Sequence, residues 1–169
     1  MNIVANPVVE VDQTVYLKDY QKPSFLVDSV DLDIQVFDDK TYVTAKLVMQ
    51  RQTAGDLVLL GRDLELKSIA LNGQALAEDA YTLDTVQLVI ANAPDQVIIE
   101  TQVLIHPETN TQLEGLYQAS GDLFVTQNEP EGFRKITFYP DRPDVLSVFT
   151  TRVEADKKFP VLLANGNLI

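Results

Sequence analysis

The chain has 169 residues, no cysteine, one histidine and a formal charge of −12 from 25 acidic and 13 basic side chains. That balance argues against nucleic acid, whose phosphates need clustered Lys and Arg, and against an anionic membrane surface. The missing thiols exclude disulfides, thiolate metal sites and a cysteine nucleophile, while 46% apolar residues suffice for one buried core.

Residues 1–24 are polar and irregular up to Lys22-Pro23-Ser24 and read as an arm leading to a β-rich domain over 25–169. No basic N-terminal segment runs into an apolar one, so no signal peptide is visible. Apolar runs such as Val86 to Ala93 are too short to cross a bilayer as a helix. The expected location is the cytoplasm.

From Val30 the pattern alternates. Val30, Leu32, Ile34 and Val36 face one way, and Asp31, Asp33 and Gln35 the other. Side chains of an extended backbone alternate faces, so this is a half-buried strand. Asp38-Asp39-Lys40 turns the chain, and Val43, Ala45, Leu47 and Met49 continue the pattern as the second arm of an antiparallel hairpin. Asp56–Leu60 and Leu64–Leu71 are further strands. The latter ends in Asn72-Gly73, the pair suited to a type I′ turn because both positions need positive φ.

Val86–Ile90 and Val97–Ile105 flank a turn at Asn92-Ala93-Pro94-Asp95, with Val97, Ile99, Thr101, Val103 and Ile105 on one face. Phe133–Tyr139 and Phe149–Val153 are later strand candidates. One short helix is expected to open at Arg142-Pro143-Asp144, since proline suits a first helical position. No sustained helical period and no repeat occur. The fold class expected is all-β: an antiparallel β-sandwich or related multi-sheet domain with at most one or two short helices.

The chemistry available is sparse. His106, in Ile105-His106-Pro107-Glu108, is one imidazole, whereas a hydrolytic zinc site needs two histidines a helical turn apart and further carboxylates. It reads as a strand-end or loop residue. No Gly-x-Ser-x-Gly elbow and no phosphate loop is present. Asp38-Asp39 and Glu78-Asp79 are solvated turns. Glu129 stands out because turn residues surround it, Gln127-Asn128 before and Pro130-Glu131-Gly132 after. Such a loop can aim a carboxylate into a cleft. A carboxylate suits a protonated amine, and Gln127 offers both donors and an acceptor. By residue type alone, Glu129 and Glu131 read as ordinary surface charges.

Several stretches in order carry a resemblance: Leu113-Glu114-Gly115-Leu116-Tyr117, Thr126-Gln127-Asn128-Glu129, Gly132-Phe133-Arg134 and Asp141-Arg142-Pro143-Asp144-Val145. With Tyr20 to Leu32, Phe149-Thr150-Thr151, Ala155-Asp156-Lys157 and Asn165-Gly166-Asn167, they cover nearly the whole chain. The chain resembles the N-terminal domain of bacterial aminopeptidase N, a zinc-dependent alanyl-type aminopeptidase. The resemblance implies a saddle of β-sheets resting on a catalytic domain. It implies that Glu129 and Gln127 grip the free amine of a peptide substrate, with a second glutamate from the catalytic domain. It further implies that zinc, its His-Glu-x-x-His ligands, the Gly-Ala-Met-Glu-Asn motif and the catalytic tyrosine all lie outside this chain, which alone is expected to be inactive.

Arg134, five residues after Glu129, is expected to steady the loop through a carboxylate, and Tyr117 and Tyr139 to be core or cleft wall. In the family the domain continues through further strands, so a bared sheet edge and self-association of the isolated chain are expected. Pattern and composition alone fit equally a free-standing β-sandwich binding module. A His-Glu-x-x-His motif encoded beyond Ile169 would separate the two.

Overall fold

A computed structural model describes residues 16–121, 123–129 and 131–169, so most of the arm expected over 1–24 lies outside the described residues. Among the described residues, eleven strands form three sheets. Six make a mixed sheet in the order β11-β1-β2-β8-β4-β5. These are β1 (Phe25–Val36), β2 (Thr41–Arg51), β4 (Glu65–Leu71), β5 (Gln74–Ala75), β8 (Gln96–Ile105) and β11 (Val148–Ala155). A three-stranded sheet, β3-β7-β6, joins β3 (Leu57–Leu60), β7 (Gln87–Ile90) and β6 (Thr82–Leu83). The third is a hairpin of β9 (Gly115–Gln118) and β10 (Phe124–Gln127).

The large sheet forms because its apolar positions fall on one face in register. Val30 pairs with Leu47, Leu32 with Ala45 and Ile34 with Val43. The row continues as Val43 to Val103, Ala45 to Thr101, Leu47 to Ile99 and Met49 to Val97. All of these are buried. A bulge between Val27 and Ser29 leaves Asp28 without an opposite number. The extra residue switches parity, so Phe25 and Val27 are buried on odd numbers and Val30 onward on even ones. Leu57 and Leu59, paired with Ile90 and Leu88, bring the small sheet into the same core.

Three local expectations differ from what is seen. Phe133–Tyr139 is not a strand. Phe133–Lys135 is a turn of 3-10 helix, and only Tyr139 bridges to a strand, at Leu60. No helix opens at Arg142. The Val145 N–H donates to the Arg142 carbonyl at 3.1 Å and closes a single turn. The Phe149–Val153 candidate is a strand, extended to Val148–Ala155, but it joins β1 in parallel rather than antiparallel.

Candidate functional site

The hairpin β9–β10 carries the loop of interest. Gln127 closes it, opposite Gly115. Beyond it the Gly132 N–H donates to the Asn128 carbonyl at 3.3 Å, enclosing Glu129 in a wide turn. Gly132 lets the two ends of that turn approach closely. A Cβ there would stand 2.4 Å from the Gln127 carbonyl oxygen and 2.8 Å from the Asn128 Cα. Gly115, at φ 69°, is equally constrained, because its Cβ would meet that of Lys135 at 2.6 Å. The base of the hairpin is held by Asn110, whose Nδ2 donates to the carbonyls of Glu114 (2.7 Å) and Leu116 (3.0 Å).

Under the loop lies an ionic scaffold. Arg134 Nε donates to Asp141 Oδ2 at 2.6 Å, and the Arg134 backbone N–H reaches the same oxygen at 3.1 Å. Its Nη2 donates to the Asp141 carbonyl at 3.3 Å and approaches Glu131 Oε2 at 3.3 Å. Next to it Lys135, a buried cation, donates to Asp63 Oδ2 at 2.7 Å and to Gln112 Oε1. Phe133, Tyr139 and Phe149 pack as an aromatic cluster, Phe133 edge-on to Tyr139 at 5.0 Å and to Phe149 at 5.7 Å. Tyr139 is buried and shares a 2.7 Å hydrogen bond with Ser147 Oγ. Burial pushes its phenol up. Arg134 and Asp141 thus hold structure, and Tyr139 belongs to the core. Tyr117 is half-buried, opposite Val125 in the hairpin.

Both sequence-derived binding residues stand on this platform. Gln127 and Glu129 are exposed, and among the described residues neither side chain makes a hydrogen bond or ion pair. Asn128, between them, lines a cavity of about 710 Å³ walled by Ile34, Val153, Phe124, Phe159 and Leu162; Gln127 and Glu129 do not line it. The wall is mostly apolar and offers an ammonium ion little. Sequence reasoning missed the supporting part of Glu131, which lies three residues before Arg134, the spacing that pairs opposite charges along one turn.

His106 ends β8. Its Nδ1 lies 3.1 Å from the Asp39 carbonyl and 2.9 Å from Glu108 Oε1. Among the described residues no three His, Cys, Asp or Glu side chains cluster as metal ligands. The one imidazole and its engaged nitrogen do not fit a zinc ion.

Comparison with known proteins extends these observations. The model of the Peptidase M1 N-terminal domain family matches residues 20–169. Aminopeptidase N of Caulobacter vibrioides is 47% identical over 161 residues, covering 94% of this chain and 18% of that protein. Aminopeptidase N of Escherichia coli is 44% identical over 160 residues, covering 93% and 18%. The chain therefore spans about a fifth of the length of these curated relatives. The crystal structure of Legionella pneumophila aminopeptidase A in complex with aspartic acid superposes with a TM-score of 0.83 at 35% identity, covering 90% of this chain and 19% of that one. An M1 zinc metallopeptidase from Deinococcus radiodurans matches at TM-score 0.66 and 19% identity over 79% of this chain and 33% of that one, which attests the fold alone. By sequence and by fold, the chain belongs to the Peptidase M1 N-terminal domain family.

Proposed function

We propose that this chain is the amine-anchoring domain of a cytoplasmic zinc aminopeptidase that removes residues singly from the N-terminus of peptides. The observation that carries the reading is the contrast between Glu129 and its surroundings. Its carboxylate is exposed and unpaired among the described residues. Meanwhile the backbone at Gln127, Asn128 and Gly132 and the side chain of Glu131 are tied down. An unspent carboxylate on a tied backbone suits an α-ammonium, because only the side chain remains to be ordered when substrate arrives. Glu129 accepts hydrogen bonds from the ammonium, and Gln127 accepts another or donates to the first peptide carbonyl. Anchoring the terminus sets the register, so that the first peptide bond is the one presented for cleavage.

Hydrolysis in such a parent requires a zinc site that the residues of this chain do not fit, so the partner of this domain is its own catalytic domain. By itself the chain is expected to show no turnover and, with an exposed apolar face, to self-associate.

The test uses the complete reading frame that contains this chain. A charge-assisted hydrogen bond contributes about 1.5–3 kcal/mol. Glu129→Gln is therefore expected to lower kcat/KM on a peptide with a free amine by about ten- to a hundredfold, with zinc content unchanged. An unaltered kcat/KM would overturn the assignment.

A further inference from the structure

We propose that Arg134 is a positioning residue for amine recognition: it ties the descending arm of the loop to the chain at Asp141, and the preference for a free α-amine depends on it. The inference rests on the reading of Glu129 given above and adds to it the group that holds Glu129 in place.

The geometry supports a clamp rather than a stray surface pair. Arg134's side chain is 14% exposed and that of Asp141 10%, so their 2.6 Å contact is shielded from water. The guanidinium ties the loop's descending arm to a later segment of the chain. Through Glu131, 61% exposed, it reaches the descending arm of the turn that carries Glu129. Through the side chain and carbonyl of Asp141 it reaches the segment that follows Tyr139. Asp141 sits at φ 44°, a left-handed conformation that non-glycine residues seldom keep without outside support. The Arg134 carbonyl accepts the Arg62 N–H at 2.9 Å, joining the clamp to the chain after β3. Only a planar fork with several fixed donors can satisfy these partners together. The guanidinium is turned toward the loop's root in this arrangement, and its effect on binding passes through Glu129.

Removing the fork frees Glu131 and lets the loop drift. Displacing a recognition group by about an ångström costs up to a hundredfold in rate, and the cost falls on the interaction that group makes. The signature is thus a selective loss. Substrates with an α-ammonium suffer, and analogues with an α-hydroxyl in its place, which Glu129 cannot hold by charge, suffer less.

The experiment measures kcat/KM in the full-length protein for a free-amine substrate and its α-hydroxy analogue. The variants are Glu129→Gln, Arg134→Gln, Glu131→Gln and the Glu129→Gln/Arg134→Gln pair. Arg134→Gln is expected to reduce the amine-over-hydroxyl preference by about tenfold, mainly through KM. Glu131→Gln, an exposed change that leaves the Asp141 contact intact, is expected to reduce it by about two- to threefold. The paired variant should be no worse than Glu129→Gln alone, because residues acting through one contact are not additive. Equal loss on both substrates or an additive pair would overturn the proposal. So would an unaffected Glu131→Gln, which decides the matter should Arg134→Gln fail to fold. If Glu129→Gln itself leaves the preference unchanged, the amine-anchor reading fails first. If only the clamp variants are silent, Arg134 alone loses its role.

Discussion

Asp144 shows how a single carboxylate joins distant parts of the chain. It accepts hydrogen bonds from Arg142 Nε at 2.8 Å and Nη2 at 2.7 Å, and from the Tyr20 hydroxyl at 2.8 Å. The same Nη2 donates to the Gln21 carbonyl at 2.7 Å, so the entry to β1 is pinned to the turn after Tyr139. The Arg142 hydrogen bonds, and then that of Tyr20, hold the Asp144 carboxyl down to about 2. An unfolded Asp titrates near 3.9. The folded value is the lower, so this tether's stability is fully present above about pH 4 and is lost as pH falls through about 2. The cluster is partly open to solvent, so its contribution is about 1 kcal/mol or less. Asp144→Asn is expected to melt below the unmodified protein at pH 7, and the two melting curves should converge toward pH 2. A gap that persists in acid would contradict the tether.

Glycines make a matched pair at the level of the elements. Gly73, at φ 77° in the β4–β5 turn, has nothing within 4 Å of the place an added methyl would occupy, so Gly73→Ala meets only the backbone penalty of about 1 kcal/mol. Gly132 has an ordinary φ of −100° and no space. Gly132→Ala is expected to cost about 1–3 kcal/mol by overpacking and to displace Gln127 and Glu129. Activity of the full-length protein should fall with Gly132→Ala and hold with Gly73→Ala, as kinetics beside thermal melts will show. The same contrast between open and crowded positions explains what the sequence makes legible. β1, β2 and β8 alternate because one face is buried and the other wet, so their strands can be read directly. The run from Lys135 to Pro140 is buried throughout, and burial on all sides leaves no period to distinguish a ladder from an irregular path. Pro143 suggests a helix, but the Val145 N–H closes a single turn on the Arg142 carbonyl instead. β9 and β10, at four residues each, are too short to announce themselves. Glu129 emerges through family motifs, not through residue type. The partners of Arg134 emerge only from the fold, because Asp141 lies beyond a segment whose path carries no periodic signal.

On the scale of the whole molecule the sheet is unevenly finished. β11 is an end strand of the six-stranded sheet, and Leu146, Val148 and Phe149 beside it are exposed, as are Val161 and Leu163 further on. An open edge next to apolar surface invites a second copy, while a charge of −12 resists it. The isolated chain is expected to associate more strongly as salt screens that repulsion, and sedimentation showing a clean monomer at high concentration and high salt would count against this. β11 also has a hidden partner: it is readable as a strand, but nothing local in it names β1. Arg152 and Asp33, joined across that seam at 2.7 Å, are 119 residues apart. So long a loop must be closed before the seam returns any energy, which places this pairing among the slow, late events of folding. A ribosome making the chain will have released almost all of it before the outermost ladder can zip, and until then the apolar flank of β1 stays open to chaperones.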